Sequence, residues 1–279
     1  MRPAPILRPS FRDRALRIGA IGLLVGILVT CSEPTSVNTP GSATGLAFST
    51  QPTSATAGQA MSTVVVTAKD DHNRTAVSFN GNVTLSITAG TGTAGATLAG
   101  TLTVAAVSGV ATFTDLHINR SGTGYTLSAT ATGLSLIAPS TAFAITAGPA
   151  ASLVFTTQPV ATAAGSAITP AVVVTAQDVN GNTATSFTGA VAIAFGTNPV
   201  GGTLTGTASV NAVAGLATFS TLKVDKVGSG YTFKATSLGL TEDVSASFSI
   251  NPGAAATLVF TAQPTNAIAG VAIAPAVQV

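Results

Sequence analysis

The sequence predicts an all-β protein, and three observations carry that expectation. Apolar and small polar residues alternate with period two in many short runs, turn dipeptides separate the runs, and no segment from Ser32 to Val279 sustains a 3.6-residue apolar period. Alternation marks a strand with one buried face, because successive side chains leave a pleated backbone on opposite sides. Tyr125-Thr-Leu127-Ser-Ala129-Thr-Ala131 shows the pattern, and Tyr231-Thr-Phe233-Lys-Ala235 repeats it with Lys234 on the polar side. Val83-Thr-Leu85-Ser-Ile87 and Val191-Ala-Ile193-Ala-Phe195 read the same way, while Asn80-Gly81, Ser108-Gly109, Asn180-Gly181, Asn198-Pro199 and Ala214-Gly215 supply the turns.

The runs recur at domain length. Leu46–Pro52 (LAFSTQP) returns as Leu153–Pro159 (LVFTTQP) and as Leu258–Pro264 (LVFTAQP), so the prolines stand 107 and 105 residues apart. Within the unit Val64–Asp70 (VVVTAKD) matches Val172–Asp178 (VVVTAQD), Val110–Phe113 matches Leu216–Phe219, and Gly122–Thr126 (GTGYT) matches Gly228–Thr232 (GSGYT). A solenoid or propeller blade repeats every ~20–50 residues, so a unit of this size is a whole domain in a tandem array. About seven short strands per ~100 residues, with turns every ~8–12, are the pattern of an immunoglobulin-like sandwich. The expected fold is therefore all-β: tandem immunoglobulin-like antiparallel β-sandwiches without disulfides. The reading divides the chain into a signal peptide (1–30), a flexible tether (31–44), repeat one (45–148), repeat two (149–253) and a truncated repeat three (254–279).

Composition narrows the function. Charged residues are 7% of the chain and apolar residues 46%, which argues against disorder. Five of the eleven basic residues (Arg2, Arg8, Arg12, Arg14 and Arg17) precede Ile18. From Cys31 onward six basic residues face eight acidic ones, so the basic balance belongs to the N-terminus. A body with so few cations cannot neutralise a run of phosphates, and no nucleic-acid partner is expected. Two histidines and one cysteine leave no room for a zinc ribbon, and His72 and His117 face Asn180 and Lys223 at the matching places of repeat two. Eight acids in the mature chain give no convergent carboxylate pair, and no phosphate-binding GxxxxGK[ST] loop occurs. No enzyme activity and no cofactor are expected.

Three sets of residues are singled out. Ile18–Thr30 is an apolar run of 13 behind the arginine-rich start, too short for the ~20 residues of a spanning helix and suited to a secretory signal. It ends Leu28-Val29-Thr30-Cys31, which resembles the lipobox of bacterial lipoproteins; Thr30 stands where that family prefers Gly, Ala or Ser. The resemblance implies lipidation of Cys31 and membrane attachment through that lipid, the alternative being an ordinary signal with an incidental cysteine. Tyr125 and Tyr231, the only tyrosines, open matching strands just after Gly-x-Gly, the place of a structural tyrosine corner, or else of a plain strand tyrosine. Asp178, Asn180 and Asn182 have the alternating oxygen spacing with which a calcium loop begins, although the downstream glutamate is missing. The other reading of that segment is a turn in which Asp178 bonds local amides. In repeat one Arg74 replaces the third oxygen with a cation.

The VVVTAxD strand, Asp178-Val-Asn-Gly-Asn182 and the later VATF/LATF strand resemble the bacterial immunoglobulin-like domains of the invasin/intimin type over residues 45–279. That resemblance implies a cell-surface stalk or adhesion module with no catalytic residues; the N-terminal signal and the lipobox-like LVTC add the expectation of a secreted outer-membrane lipoprotein. Its partners would be an unidentified surface protein or glycan, or further copies of itself, since four lysines in the body leave Thr/Ala/Gly faces unguarded. The alternative is a set of spacer repeats for an enzyme or carbohydrate-binding domain beyond Val279. Ala254–Val279 matches only the first quarter of a unit, so this reading also expects a longer chain with at least one more complete repeat.

Overall fold

The structure is a computed structural model that describes residues 39–279. The signal-peptide and Cys31 expectations lie outside the described residues. In repeat one the strands are β1 (Gly45–Thr50), β2 (Ala55–Thr56), β3 (Val64–Lys69), β4 (Asn82–Ile87), β5 (Leu98–Ala99) and β6 (Thr103–Ala105). They continue as β7 (Val110–Phe113), β8 (His117–Ile118), β9 (Gly122–Tyr125), β10 (Leu127–Thr130), β11 (Ser135–Leu136) and β12 (Phe143–Thr146). Repeat two carries β13 (Ser152–Thr157), β14 (Thr162–Ala163), β15 (Val172–Gln177), β16 (Ala190–Thr197), β17 (Leu204–Thr205) and β18 (Ser209–Asn211). It ends with β19 (Leu216–Phe219), β20 (Lys223–Val224), β21 (Gly228–Thr236), β22 (Asp243–Val244) and β23 (Phe248–Asn251). Among the described residues there is no helix, and the chain's single cysteine excludes an internal disulfide.

Each repeat packs one sheet on another. In repeat one the order β11-β1-β3-β7 forms one face, opposed by β2-β12-β9 and β10-β4-β6; in repeat two β13-β15-β19 opposes β14-β23-β21-β16-β18. The central pairs are antiparallel and in matching register, with Leu46 opposite Ala68 and Leu153 opposite Ala176. The inward phase of the long strands feeds two separate cores. Leu46, Val64, Val66, Phe113 and Leu127 fill the first, and Leu153, Val172, Val174, Phe219 and Phe233 the second. Leu127 and Phe233 occupy the place of a sandwich cysteine and are fully buried, so apolar burial, worth ~1.5–3 kcal/mol for such a side chain, stands in for the bond. Two threonines break the apolar rule without cost: Thr67 Oγ1 donates to Ser49 Oγ at 2.7 Å, and Thr175 meets Thr156 at 2.8 Å across the sheet.

One strand differs from its expected extent. The alternation predicts an unbroken strand through Tyr125, and repeat two has it in β21, whereas repeat one splits it into β9 and β10 at Thr126. There the backbone bonds the loop after β4: Thr126 O accepts from Thr88 N at 2.8 Å, and Thr126 N donates to Thr91 Oγ1 at 3.3 Å. In repeat two the equivalent Thr232 stays in the ladder opposite Thr197, with its Oγ1 buried without a hydrogen bond. After β23, residues 254–279 carry one bridge, Ala262 with Gln278, and expose Leu258 (84%) and Phe260 (52%).

Candidate functional site

The residues that stand out chemically gather at turns. The strand β3 ends in Asp70 and β15 in Asp178, and each carboxylate organises the turn that follows it. Asp178 Oδ1 accepts from the backbone N–H of Asn180 and Asn182 at 2.8 and 2.9 Å, and Oδ2 from Gly148 N at 2.8 Å. Asn182 Nδ2 donates to both oxygens, at 3.2 and 3.0 Å. Gly181 takes φ +78° to close the turn, a conformation open to glycine at little cost. Burial pushes the Asp178 carboxyl up, but the Asn182 side chain and the amides of Gly148, Asn182 and Asn180 outweigh it and hold the group below its ordinary range. Asp178, Asn180 and Asn182 are thus brought together as a hydrogen-bonded turn, with both carboxylate oxygens facing N–H donors. A cation there would have to displace those donors.

The same turn joins the repeats. Asn182 Oδ1 accepts from Ser121 N at 2.9 Å, and its Nδ2 also donates to Asn119 O at 2.9 Å. Asn180 Nδ2 donates to Ala57 O at 3.1 Å. Gly58, at φ +74°, makes room for that contact: a Cβ there would stand 2.7 Å from Asn180 Nδ2. Repeat one therefore receives the turn entirely on main-chain groups. Beside the joint opens a cleft of about 620 Å³ lined by Ser121, Thr123, Ala144, Thr146, Thr183 and Thr185 among others, hydroxyls and methyls with no titratable group.

In repeat one Asp70 holds the matching turn differently. Oδ1 accepts from His72 N and Arg74 N, and Oδ2 from Gly41 N at 2.9 Å. Arg74 adds Nε at 2.9 Å and Nη2 at 2.8 Å on Oδ2. Burial again opposes ionisation, but the Gly41 and Arg74 amides, the guanidinium and the His72 amide hold Asp70 far below the ordinary carboxylate range. Asp70, Asp71 and His72 bring potential metal-ligand atoms within 4.8 Å of one another, yet Arg74 already neutralises Asp70 and His72 Nδ1 bonds Asp71 at 2.6 Å.

Both tyrosines are fully buried and reach back five residues: Tyr125 Oη donates to Arg120 O and Tyr231 Oη to Lys226 O, each at 2.8 Å. Two further pairs act through side chains that periodicity does not mark. Buried Ser140 and Ser245 accept from Leu127 N and Phe233 N, completing the strand edge beside them. Gln51 and Gln158 accept from Thr141 N and Ala246 N at 2.9 Å and so tie the LxFxTQP segment to the approach of the last strand. The glutamine's presence in all three LxFxxQP copies was the available signal.

No protein family and no curated protein matches the chain. Among solved structures it is similar to the Escherichia coli adhesin FdeC, at 18% identity and TM-score 0.39 over 80% of this chain and 70% of that one. The Yersinia pseudotuberculosis adhesin InvE shares 15% identity at TM-score 0.31, over 74% of this chain and 58% of that one. A β-glycosidase from Bacteroides vulgatus shares 12% at TM-score 0.33, over 75% of this chain. The chain spans only a quarter of that enzyme's length. Likenesses of this size do not say what the chain binds or does. The fold read from its own strands is that of tandem immunoglobulin-like sandwiches.

Proposed function

We propose that this protein is a non-catalytic stalk and adhesion module of the cell surface, secreted and held to the outer membrane by a lipid on Cys31. The observation that carries the reading is the joint. Asn180 and Asn182 fasten repeat two to main-chain groups of repeat one, a direct coupling that suits a part whose work is to hold domains in series. The acids of the described residues support it. Asp70, Asp115, Asp178, Asp225 and Asp243 all accept from backbone amides, Asp71 meets His72 Nδ1 and Glu242 pairs with Lys234, so these groups serve turns and edges. Anchoring rests on the LVTC at the end of the apolar run.

The test is fractionation of cells that express the full chain and its Cys31→Ser variant. The wild type is expected in the membrane fraction and cleavable by protease added to intact cells, with the variant released. Equal fractionation of the two, with a free thiol in the wild type, overturns the anchor. Purified protein on glycan and matrix-protein arrays then reads adhesion directly, and absence of capture removes the adhesive half of the reading.

A further inference from the structure

The surface of repeat one that accepts the joint has a copy on repeat two. The joint uses Ala57 O, Asn119 O and Ser121 N, beside Gly58. In repeat two the matching groups are Ala164 O, Asp225 O and Val227 N, beside Gly165. The match is fixed by hydrogen bonds rather than by residue type. Ala57 N and Gly58 N donate to Thr146 O and Ile118 O, as Ala164 N and Gly165 N donate to Asn251 O and Val224 O. The tyrosine corners bond Arg120 O and Lys226 O, one residue before Ser121 and Val227. Gly58 and Gly165 share φ +74°, but the Cβ position that Asn180 crowds at Gly58 is open at Gly165. Ala164 O, Asp225 O and Val227 N carry no hydrogen bond among the described residues, and Val227 is 49% exposed.

We propose that this end of repeat two is a docking site for the Asp-x-Asn-Gly-Asn turn of a further sandwich of the same kind, entered through Gly253. The proposal deepens the stalk reading by naming what the stalk holds at this face. Because every receiving group is main chain, the changes from Asn119 to Asp225 and from Ser121 to Val227 leave the hydrogen-bonding pattern intact. Gly253 stands five residues before Leu258, as Gly148 stands before Leu153 and Gly41 before Leu46, and the amides of Gly148 and Gly41 are those that cap Asp178 and Asp70. The turn of repeat one is not a fit occupant. His72 and Arg74 replace the two joint asparagines, and Arg74 is clamped on Asp70. A second copy of this chain therefore has no free turn of the required chemistry.

The test completes the third unit by fusing a copy of residues 175–252 directly after Val279 of the full chain, and it reads amide hydrogen exchange by NMR. Ser121 N–H, already held in the existing joint, is the internal reference. The expected result is exchange at Val227 slowed at least tenfold by the fusion, towards the protection of Ser121. The slowing should be lost when both asparagines of the copied turn are replaced by alanine. Unchanged exchange at Val227, while the core amides of the fused sandwich are protected, overturns the proposal. If the fused sandwich does not fold, a disulfide-cyclised peptide copying residues 175–184 is titrated into the labelled full chain. Shifts confined to Ala164–Gly165 and Asp225–Gly228 support docking, and no shift at millimolar peptide overturns it. Neither readout depends on membrane anchoring or ligand capture, so the outcome is separable from the fate of the stalk reading.

Discussion

Asp70 and Asp178 close the same turn with the same backbone donors, and the residues at its third and fifth positions, His72 and Arg74 against Asn180 and Asn182, decide what each turn then does. At the fifth position repeat one has Arg74, whose guanidinium folds back on its own carboxylate. Repeat two has Asn182, which bonds its carboxylate through Nδ2 and still has an oxygen and a second N–H for Asn119 and Ser121 of the neighbouring domain. Arginine has donors only; an amide has both a donor and an acceptor, and so can bridge two partners that each need the other sense. The two turns show that a linking contact can be created on an unchanged scaffold by replacing a charge with an amide.

The largest effect is expected where that scaffold is removed. Asp178→Ala takes the acceptor from Gly148 N, Asn180 N, Asn182 N and the Asn182 side chain together; one hydrogen bond to a charged group contributes ~1.5–3 kcal/mol net, and several on a single carboxylate do not add in full, since water replaces part of what is lost. A loss of about 3 kcal/mol in urea denaturation is expected; a loss below about 1 kcal/mol would show that the turn is held by other means. The carboxylates also set an acid limit. Both have folded pKa values below their unfolded ones, so their stabilisation is complete above the unfolded value of ~3.9 and is lost as pH falls from there towards the folded values. The melting temperature should change little from pH 8 to 5 through these groups and drop below pH ~4. Asp178→Asn should shrink that drop, and an unchanged acid slope in the variant contradicts the assignment.

The next effect exchanges the turns' identities. Asn182→Arg gives repeat two the residue of repeat one, so the carboxylate keeps a partner while Ser121 N and Asn119 O lose theirs. Two neutral hydrogen bonds at ~0.5–1.5 kcal/mol each set the expected loss at roughly 1–3 kcal/mol, below that of Asp178→Ala. The sharper measurement is exchange of the Ser121 amide, which should rise to the rate of Val227. If Ser121 stays protected, the joint does not depend on the amide.

What the sequence disclosed and what it hid divide along chemical lines. The sandwiches were legible because burial imposes period two on Asn82–Leu85 and Tyr231–Ala235, and repetition doubled the signal. Tyr125 and Tyr231 stood out by rarity and by position after Gly-x-Gly. The joint did not, because its receiving side is made of Ala57, Asn119 and Ser121 main-chain groups, which any residue could supply. The break at Thr126 was also hidden, since it depends on the loop that brings Thr91 close, and alternation along one strand carries no trace of a neighbour.

A smaller effect is expected at the two corners. Each tyrosine hydroxyl makes one hydrogen bond to a backbone carbonyl, so Tyr125→Phe and Tyr231→Phe should each cost about 1 kcal/mol. The freed carbonyls belong to exposed Arg120 and Lys226, which water can reach, so neither variant should approach the loss at Asp178. An unchanged denaturation midpoint in both would reduce the corners to ordinary strand tyrosines.

The smallest expected effect concerns calcium, and the two turns make it a controlled comparison. Asp178, Asn180 and Asn182 have the oxygen spacing of a calcium loop, whereas the turn of repeat one carries Arg74 at the third place. A calcium ion needs six to eight oxygens at ~2.3–2.6 Å, several of them carboxylates. Here one carboxylate is present. Its lone pairs are directed at Gly148, Asn180 and Asn182 N–H groups, and the Asn182 oxygen is directed at Ser121 N. Binding would require those donors to turn away, which breaks the joint, and the single negative charge would give little in return. Addition of millimolar calcium or of EDTA should therefore leave the melting temperature of wild type and of Asn182→Arg equally unmoved. A rise with calcium in the wild type alone would show that the ion can replace the amide donors, and would turn the joint from a fixed link into a calcium-dependent one.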